Sequence, residues 1–191
     1  MDRGVYDVFA KMPTLFTDRL ILRKIGVSDL ADVYDYSRRP EVSRYLLWSP
    51  HSDPQITKSH LKYIQTRYAK HDFFDWAVVV ADSGKMIGTC GFSRLDEENN
   101  SAEIGYVLNS DYWGMGYAAE AVRRIMTFAF DTLGFHRIYA RILEGNAASE
   151  RVAQKCGMIQ ESTHRRALIV KGEYKTFSEY AILKEEFDAM R

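Results

Sequence analysis

Two cysteines are all that 191 residues contain, and Cys90 and Cys156 lie far apart, in segments that read as a strand and a helix end. Without CxxC spacing neither a disulfide framework nor a zinc site is indicated, and the expected setting is a reducing one, the cytoplasm. The five histidines, His51, His60, His71, His136 and His164, show no ligand spacing, so no metal is expected. Ser149 lacks a G-x-S-x-G context, which argues against a serine hydrolase. An excess of one charge is also missing, since Lys plus Arg and Asp plus Glu both number 26. No global field therefore favours nucleic acid or an anionic membrane. No apolar run approaches a membrane span, and Asp2, Arg3, Asp7 and Lys11 interrupt any signal-peptide core.

What remains is an ordinary folding chain, 46% hydrophobic, 13% aromatic and 27% charged, with four prolines. Its length suits one domain. The expected division is a loose extension over residues 1–12 and a single domain over 13–191. Leu20 to Arg23 reads as a strand, and Ser28 or Asp29 is placed to cap a helix that Pro40 ends. A second helix carries Ile56, Leu61, Ile64 and Tyr68 at approximately helical spacing. Trp76 to Val80 and Met86 to Phe92 flank Asp82-Ser83-Gly84-Lys85, a hairpin signal, and Ala102 to Leu108 completes a meander. A helix follows with Ala118, Ala121, Val122, Ile125, Ala129 and Leu133 on one stripe and Gly134 at its stop. Arg137 to Ile142 is a strand, Ala147 to Cys156 a helix, and Ala167 to Val170 with Tyr174 to Leu183 a last hairpin. Hairpins dominate, so the expected class is α+β, a mixed and mainly antiparallel sheet flanked by helices.

The segment Trp113-Gly114-Met115-Gly116-Tyr117-Ala118 feeds the long helix. A helix start leaves N–H groups unpaired and carries partial positive charge, so a tight loop of small residues there can cradle a diphosphate. Gly114 and Gly116 permit close approach, and no acidic side chain lies between Trp113 and Ala119. Two other readings stand beside this one. The turn can be a plain strand-to-helix connection, or a dinucleotide fingerprint, since Gly114 to Ala119 formally satisfies G-x-G-x-x-A. Its position past mid-chain, the intervening Asn109 to Trp113 and the lack of an acidic residue near 135 oppose a nicotinamide site.

Read together, SAEIGYVL, DYWGMGYAAEAV and NAASERVAQKCGM resemble the GCN5-related N-acetyltransferases (GNAT), and in particular the branch that acetylates ribosomal-protein N-termini. The opening Thr17-Asp18-Arg19-Leu20-Ile21-Leu22-Arg23 is similar to that branch as well. The resemblance spans Pro13 to about Phe187. It implies a V-shaped splay between the strands around Ile104 to Leu108 and Arg137 to Ile142, with acetyl-CoA lying in it as cosubstrate. The backbone of Tyr106, Val107 and Leu108 would pair with the pantetheine arm, and the amides of Trp113, Gly114, Met115, Gly116, Tyr117 and Ala118 would meet the diphosphate. Asn146 matches a position that contacts the arm, and it reads equally as the N-cap of the next helix. The branch is compatible with a homodimer.

Acetyl transfer needs a neutral amine, a polarised thioester and a leaving thiolate, with no metal and no covalent enzyme intermediate. Glu103 is the candidate base, acting through water, although the residues alone equally allow a solvent-facing strand carboxylate. Ser149 matches a position that would protonate the sulfur; it also reads as a local hydrogen-bonding residue of a first helical turn. The chain departs from many relatives at Ala153, where a Tyr acid is common, and at Trp113, where Gln or Arg is common. Thr176 stands where the branch often has Asp, which leaves the acceptor open. Trp48 is a candidate for the acceptor pocket, whereas Phe74 and Trp76 read as core. An N-acetyltransferase acting on a peptide or small-molecule amine is the leading reading, and a non-catalytic acyl-CoA sensor is the rival.

Overall fold

In the computed structural model, which describes residues 5–191, the alternating apolar runs form one eight-stranded sheet. Its strands are β1 (Leu15–Phe16), β2 (Leu20–Arg23), β3 (Phe74–Val80), β4 (Met86–Asp96), β5 (Ser101–Leu108), β6 (Arg137–Leu143), β7 (Ile159–Val170) and β8 (Glu173–Leu183). They lie in the order β1-β2-β3-β4-β5-β6-β8-β7. Every neighbouring pair is antiparallel except β5 with β6. The helices are α1 (Val5–Ala10), α2 (Leu30–Ser37), α3 (Pro40–Ser43), α4 (Pro54–Ala69), α5 (Tyr117–Asp131), α6 (Ala147–Lys155) and α7 (Lys184–Asp188). This is the mixed, mainly antiparallel α+β arrangement that the hairpin signals indicate.

Local chemistry accounts for the helix starts. The Asp53 carboxylate accepts the Gln55 N–H at 2.6 Å and Pro54 opens α4. The buried face of α4 is Thr57, Leu61, Ile64 and Tyr68, whereas Ile56 is 44% exposed. Ile56 is thus corrected from the apolar stripe, because Thr57 lies one helical repeat before Leu61 and takes the inward position. Asp29 heads α2, yet its side chain serves elsewhere: it binds the Gly26 N–H at 2.7 Å and pairs with Arg23. On α5 the inward residues include Ala121, Val122, Ile125, Met126, Phe128 and Ala129. That broad apolar face is the reason this long amphipathic segment lies flat on the sheet.

The expectation of a loose start over residues 1–12 needs correction. Residues 1–4 lie outside the described residues, but Val5–Ala10 is helical and Phe9 is 1% exposed. The Phe9 ring sits 4.6 Å from Phe74 and 5.9 Å from Trp76, with Phe92 and Phe128 around it. Trp76 in turn donates its indole N–H to the Pro13 carbonyl at 2.8 Å. Burying a ring of this size contributes about 2–3 kcal/mol, enough to hold one short helical turn in place. β7 also begins at Ile159, well before Ala167, because its polar, mostly exposed residues carry no apolar alternation to mark them.

One feature of the sheet sets up the site. β5 and β6 pair only across Ser101–Glu103 and Arg137–Tyr139. Beyond Glu103 the two parallel strands separate, which leaves the edge of β5 that faces β6 open as far as Leu108. This divergence is the V-shaped splay.

Candidate active site

At the wide end of the splay the chain leaves β5 and enters α5 through the glycine turn. Gly114 and Gly116 have φ of 78° and 84°, backbone angles that other residues adopt only with strain. Gly116 is the N-cap of α5, and the first intrahelical bond is Glu120 N–H to the Gly116 carbonyl at 3.1 Å. Among the described residues no acceptor pairs the N–H groups of Gly114, Met115, Gly116, Tyr117, Ala118 or Ala119. Met115 and Trp113 are exposed, so these donors lie at an accessible surface with the positive end of the helix dipole behind them.

A carboxylate in the first turn, Glu120, would repel an anion unless it were neutralised. Thr17 Oγ1 donates to it at 2.6 Å, and Arg19 donates through its backbone N–H at 3.0 Å and its Nε at 2.7 Å. Burial raises the Glu120 carboxyl, but these hydrogen bonds outweigh it and hold the group below its ordinary value. Arg19 also donates to the Met115 carbonyl at 3.0 Å and lies over the Tyr117 ring. It therefore ties the glycine turn to β2. Arg19, Arg123, Arg124 and Lys155 line a groove that continues from Gly116 along α5. On the other flank Asn109 is fully buried and donates to Asp35 at 2.9 Å, while Arg39 binds both Ser110 and Asp111. The connection between β5 and α5 is anchored at both ends.

A cleft of about 240 Å³ fills the splay. Glu103, Tyr106, Arg141, Asn146 and Ser149 are among its polar lining, and Leu46, Leu47, Leu168 and Phe177 are among its apolar walls. Both Glu103 oxygens accept from Arg141, at 2.9 and 2.8 Å. This hydrogen bonding raises the Arg141 guanidinium above its ordinary value. Glu103 is 8% exposed, so the carboxylate is neither solvent-facing nor unpaired. Asn146 caps α6, its side-chain oxygen accepting the Ser149 N–H at 3.3 Å, and it lines the cleft at the same time. The Tyr106 hydroxyl is buried without a hydrogen-bond partner. Burial pushes its phenol up, with the nearby Ser149 side chain opposing. The segment after α3 closes the cleft: Tyr45 donates to the Gly145 carbonyl at 2.8 Å, and Lys171 to the Ser43 carbonyl at 2.8 Å.

The residues singled out in the sequence fall into two groups along one path. Glu103, Tyr106, Asn146 and Ser149 meet in the cleft, and Trp113 to Ala118 form the turn beyond it. Val107 and Leu108 lie on the open strand between. The Leu108 carbonyl already accepts the Trp113 indole N–H at 2.9 Å, so the indole that replaces Gln or Arg braces the end of that strand. Thr176 is drawn into the β7–β8 pairing, accepting the Arg166 N–H at 3.1 Å. Trp76 is fully buried, and Trp48 packs partly buried against the core, with His51 5.5 Å away. Arg141 and the Asn109 network were not marked by any motif, and Arg19 was marked only as part of the opening segment that resembles the family, without a role. Among the described residues there is no group of three or more His, Cys, Asp or Glu able to hold a metal ion, and no helix long and apolar enough to cross a membrane.

An antiparallel sheet splayed at one parallel pair, with a helix N-terminus at the mouth of the splay, defines a class of acyl-CoA-binding fold. Comparison with known proteins agrees. The model of the acetyltransferase (GNAT) domain matches residues 19–159. An uncharacterized N-acetyltransferase, p20, of Bacillus licheniformis is 31% identical over 176 residues, covering 92% of this chain and 99% of the relative. A GNAT-family acetyltransferase structure from Bacillus anthracis superposes with a TM-score of 0.81 at 25% identity, covering 91% of this chain and 99% of that one. Spermidine N-acetyltransferase from Vibrio cholerae, solved with CoA and spermine, shares the fold with a TM-score of 0.75 at 20% identity, covering 90% and 99%. The chain belongs to the GNAT acetyltransferase family, whose enzymes use acetyl-CoA and an amine acceptor.

Proposed function

We propose that this enzyme transfers the acetyl group of acetyl-CoA directly to a primary amine held in the cleft between β5 and β6. The observation that carries this reading is the continuity of three features. A cleft containing Glu103 and Ser149 opens onto the unpaired edge of β5, and that edge leads to the unpaired N–H groups at the start of α5. The diphosphate would lie on Gly114 to Ala118, with Arg123 and Lys155 positioned for the remaining nucleotide charge. The pantetheine arm would extend along Tyr106 and Val107 as an added strand, with Asn146 beside it. The thioester would then come to rest near Glu103 and Ser149.

In this arrangement each side chain has one task. The Glu103–Arg141 pair presents a carboxylate to the hydrogens of the incoming amine while Arg141 balances its charge. Ser149, with the Tyr106 hydroxyl next to it, supplies a proton donor at the sulfur end. The thiolate is a good enough leaving group for this to be assistance and not a necessity, so Ala153 in place of Tyr is tolerated. The acceptor is a peptide N-terminus or a small amine. Relatives of both kinds exist, a putative ribosomal N-acetyltransferase, YdaF, of Bacillus subtilis and a spermidine N(1)-acetyltransferase of Vibrio cholerae.

Thiol release from acetyl-CoA, measured with a panel of N-terminal peptides, polyamines and aryl-alkyl amines, tests the proposal. Amine-dependent release with at least one acceptor is expected. Tight acetyl-CoA binding with no release across the panel would favour the acyl-CoA sensor instead.

A further inference from the structure

Asp75 is a carboxylate that the chemistry above does not use. It lies on β3 directly opposite Gly91 of β4, and Gly91 lies opposite Gly105 of β5. Residues opposite one another in antiparallel strands point to the same face, and so do residues two apart along a strand. Asp75, Gly91, Gly105 and Glu103 therefore share one face of the sheet. Neither glycine puts a side chain between Asp75 and the cleft. A Cβ on Gly91 would stand 2.2 Å from the Phe74 carbonyl oxygen and 2.8 Å from Asp75 Oδ1, so the carboxyl lies against the bare backbone of Gly91. A Cβ on Gly105 would meet nothing within 4 Å, and Gly105 lines the cleft. Two strand spacings separate Asp75 from Gly105, roughly 10 Å between Cα atoms. The Asp75 carboxyl takes up part of that distance, and the remainder is of a length that bridging water spans.

Asp75 Oδ1 is buried and has no hydrogen-bond partner. Such an atom is costly in a structural role and useful in one that receives a proton. Burial, opposed by Thr89 and the Trp76 backbone, pushes the carboxyl up to about 7. The titratable groups around it are Tyr36 from α2, Tyr68 from α4 and Cys90 from β4, all of which burial holds in their neutral forms. The Tyr68 hydroxyl donates to the Asp75 backbone carbonyl at 2.6 Å. Charges further off are already paired, Asp29 with Arg23 behind the tyrosines and Glu103 with Arg141 along the face.

Resting on the amine-transfer reading above, we propose that Asp75 is the terminal acceptor of the ammonium proton, reached from the cleft across Gly91 and Gly105 through water, while Glu103 orients the amine. The steps balance. The ammonium gives one proton to the Asp75 carboxylate and becomes a neutral amine. Its nitrogen forms the N–C bond to the thioester carbon and the C–S bond breaks. The second nitrogen proton leaves with the sulfur as the thiol, and Asp75 returns its proton to solvent, one proton released per turnover.

The test is the pH dependence of kcat/KM, by thiol release, for the wild type, Asp75→Asn and Glu103→Gln, with spermidine and an N-terminal serine hexapeptide as probes. Wild-type rates should fall below an inflection near neutral pH. Asp75→Asn should lose that inflection and about a hundredfold in rate at pH 7, with acetyl-CoA affinity unchanged, whereas Glu103→Gln should keep the inflection and raise the amine KM. A purely structural Asp75 would leave the shape of the profile alone, so an Asn variant with the wild-type inflection overturns the proposal. Should the Asn variant not fold, carboxyl ¹³C titration of the wild type decides the matter, and an Asp75 signal unmoved between pH 6 and 8 overturns it. Wild-type turnover of neither probe, but of another amine in the panel, transfers the same test to that amine; turnover of none overturns the transfer reading itself.

Discussion

Replacing Asp75 by Asn should change the pH dependence of stability in a direction fixed by its burial. The wild-type carboxyl is pushed from an ordinary 3.8 up to about 7 in the fold. Between those limits the folded protein holds a proton that the unfolded chain has released, so its stability falls as pH rises through this window. At ~1.4 kcal/mol per pH unit the whole displacement is worth roughly 4 kcal/mol. Asp75 is only half-buried as a whole residue, so solvent relaxation reduces this to about 2–4 kcal/mol. Asn mimics the neutral form and carries no such dependence. The difference in unfolding free energy, variant minus wild type, should therefore increase by about 2–4 kcal/mol between pH 4 and pH 8. Urea unfolding at the two pH values measures it, and all other titrating groups cancel in the difference. A difference that stays constant, or that shrinks with pH, would refute the placement of this carboxyl.

Three further outcomes follow from the same geometry. Arg19→Ala frees Glu120 beside the glycine turn and removes the tie to Met115, so acetyl-CoA affinity by calorimetry should drop about tenfold, with kcat little changed. Phe9→Ala empties the aromatic nest around Trp76 and should cost about 3–4 kcal/mol in denaturant unfolding. Cys90 and Cys156 are free and buried, and burial pushes Cys90 well above its ordinary value and Cys156 to about 11. A thiol reagent should accordingly label neither in the folded protein and both after unfolding.

The glycine turn was legible because its chemistry is local: backbone freedom, small side chains and a helix start are all written within a few adjacent residues. The meander and the α5 stripe were legible for a related reason, since periodic burial leaves a periodic pattern. Pairing across the fold leaves no such trace. Arg141 meets Glu103 from 38 positions away, and only the short parallel register between β5 and β6 brings them together. Arg19 reaches Glu120 from 101 positions away, so the role of the opening strand was visible only as a family likeness. Asp75 had a faint signal in Gly91 and Gly105, glycines inside strands that mark a close approach or a missing wall. α1 escaped notice because a six-residue helix held by the deeply buried Phe9 ring looks like any mixed N-terminus.

Hydrogen exchange at the start of α5 reports on the proposed diphosphate site itself. The amides of Gly114 to Ala119 have no partner among the described residues and should exchange fast in the free protein. On addition of coenzyme A they should become strongly protected, together with Tyr106 or Val107 on the open edge of β5. Saturation with coenzyme A that protects other segments while leaving Gly114 to Ala119 in fast exchange would rule out this turn as the diphosphate site.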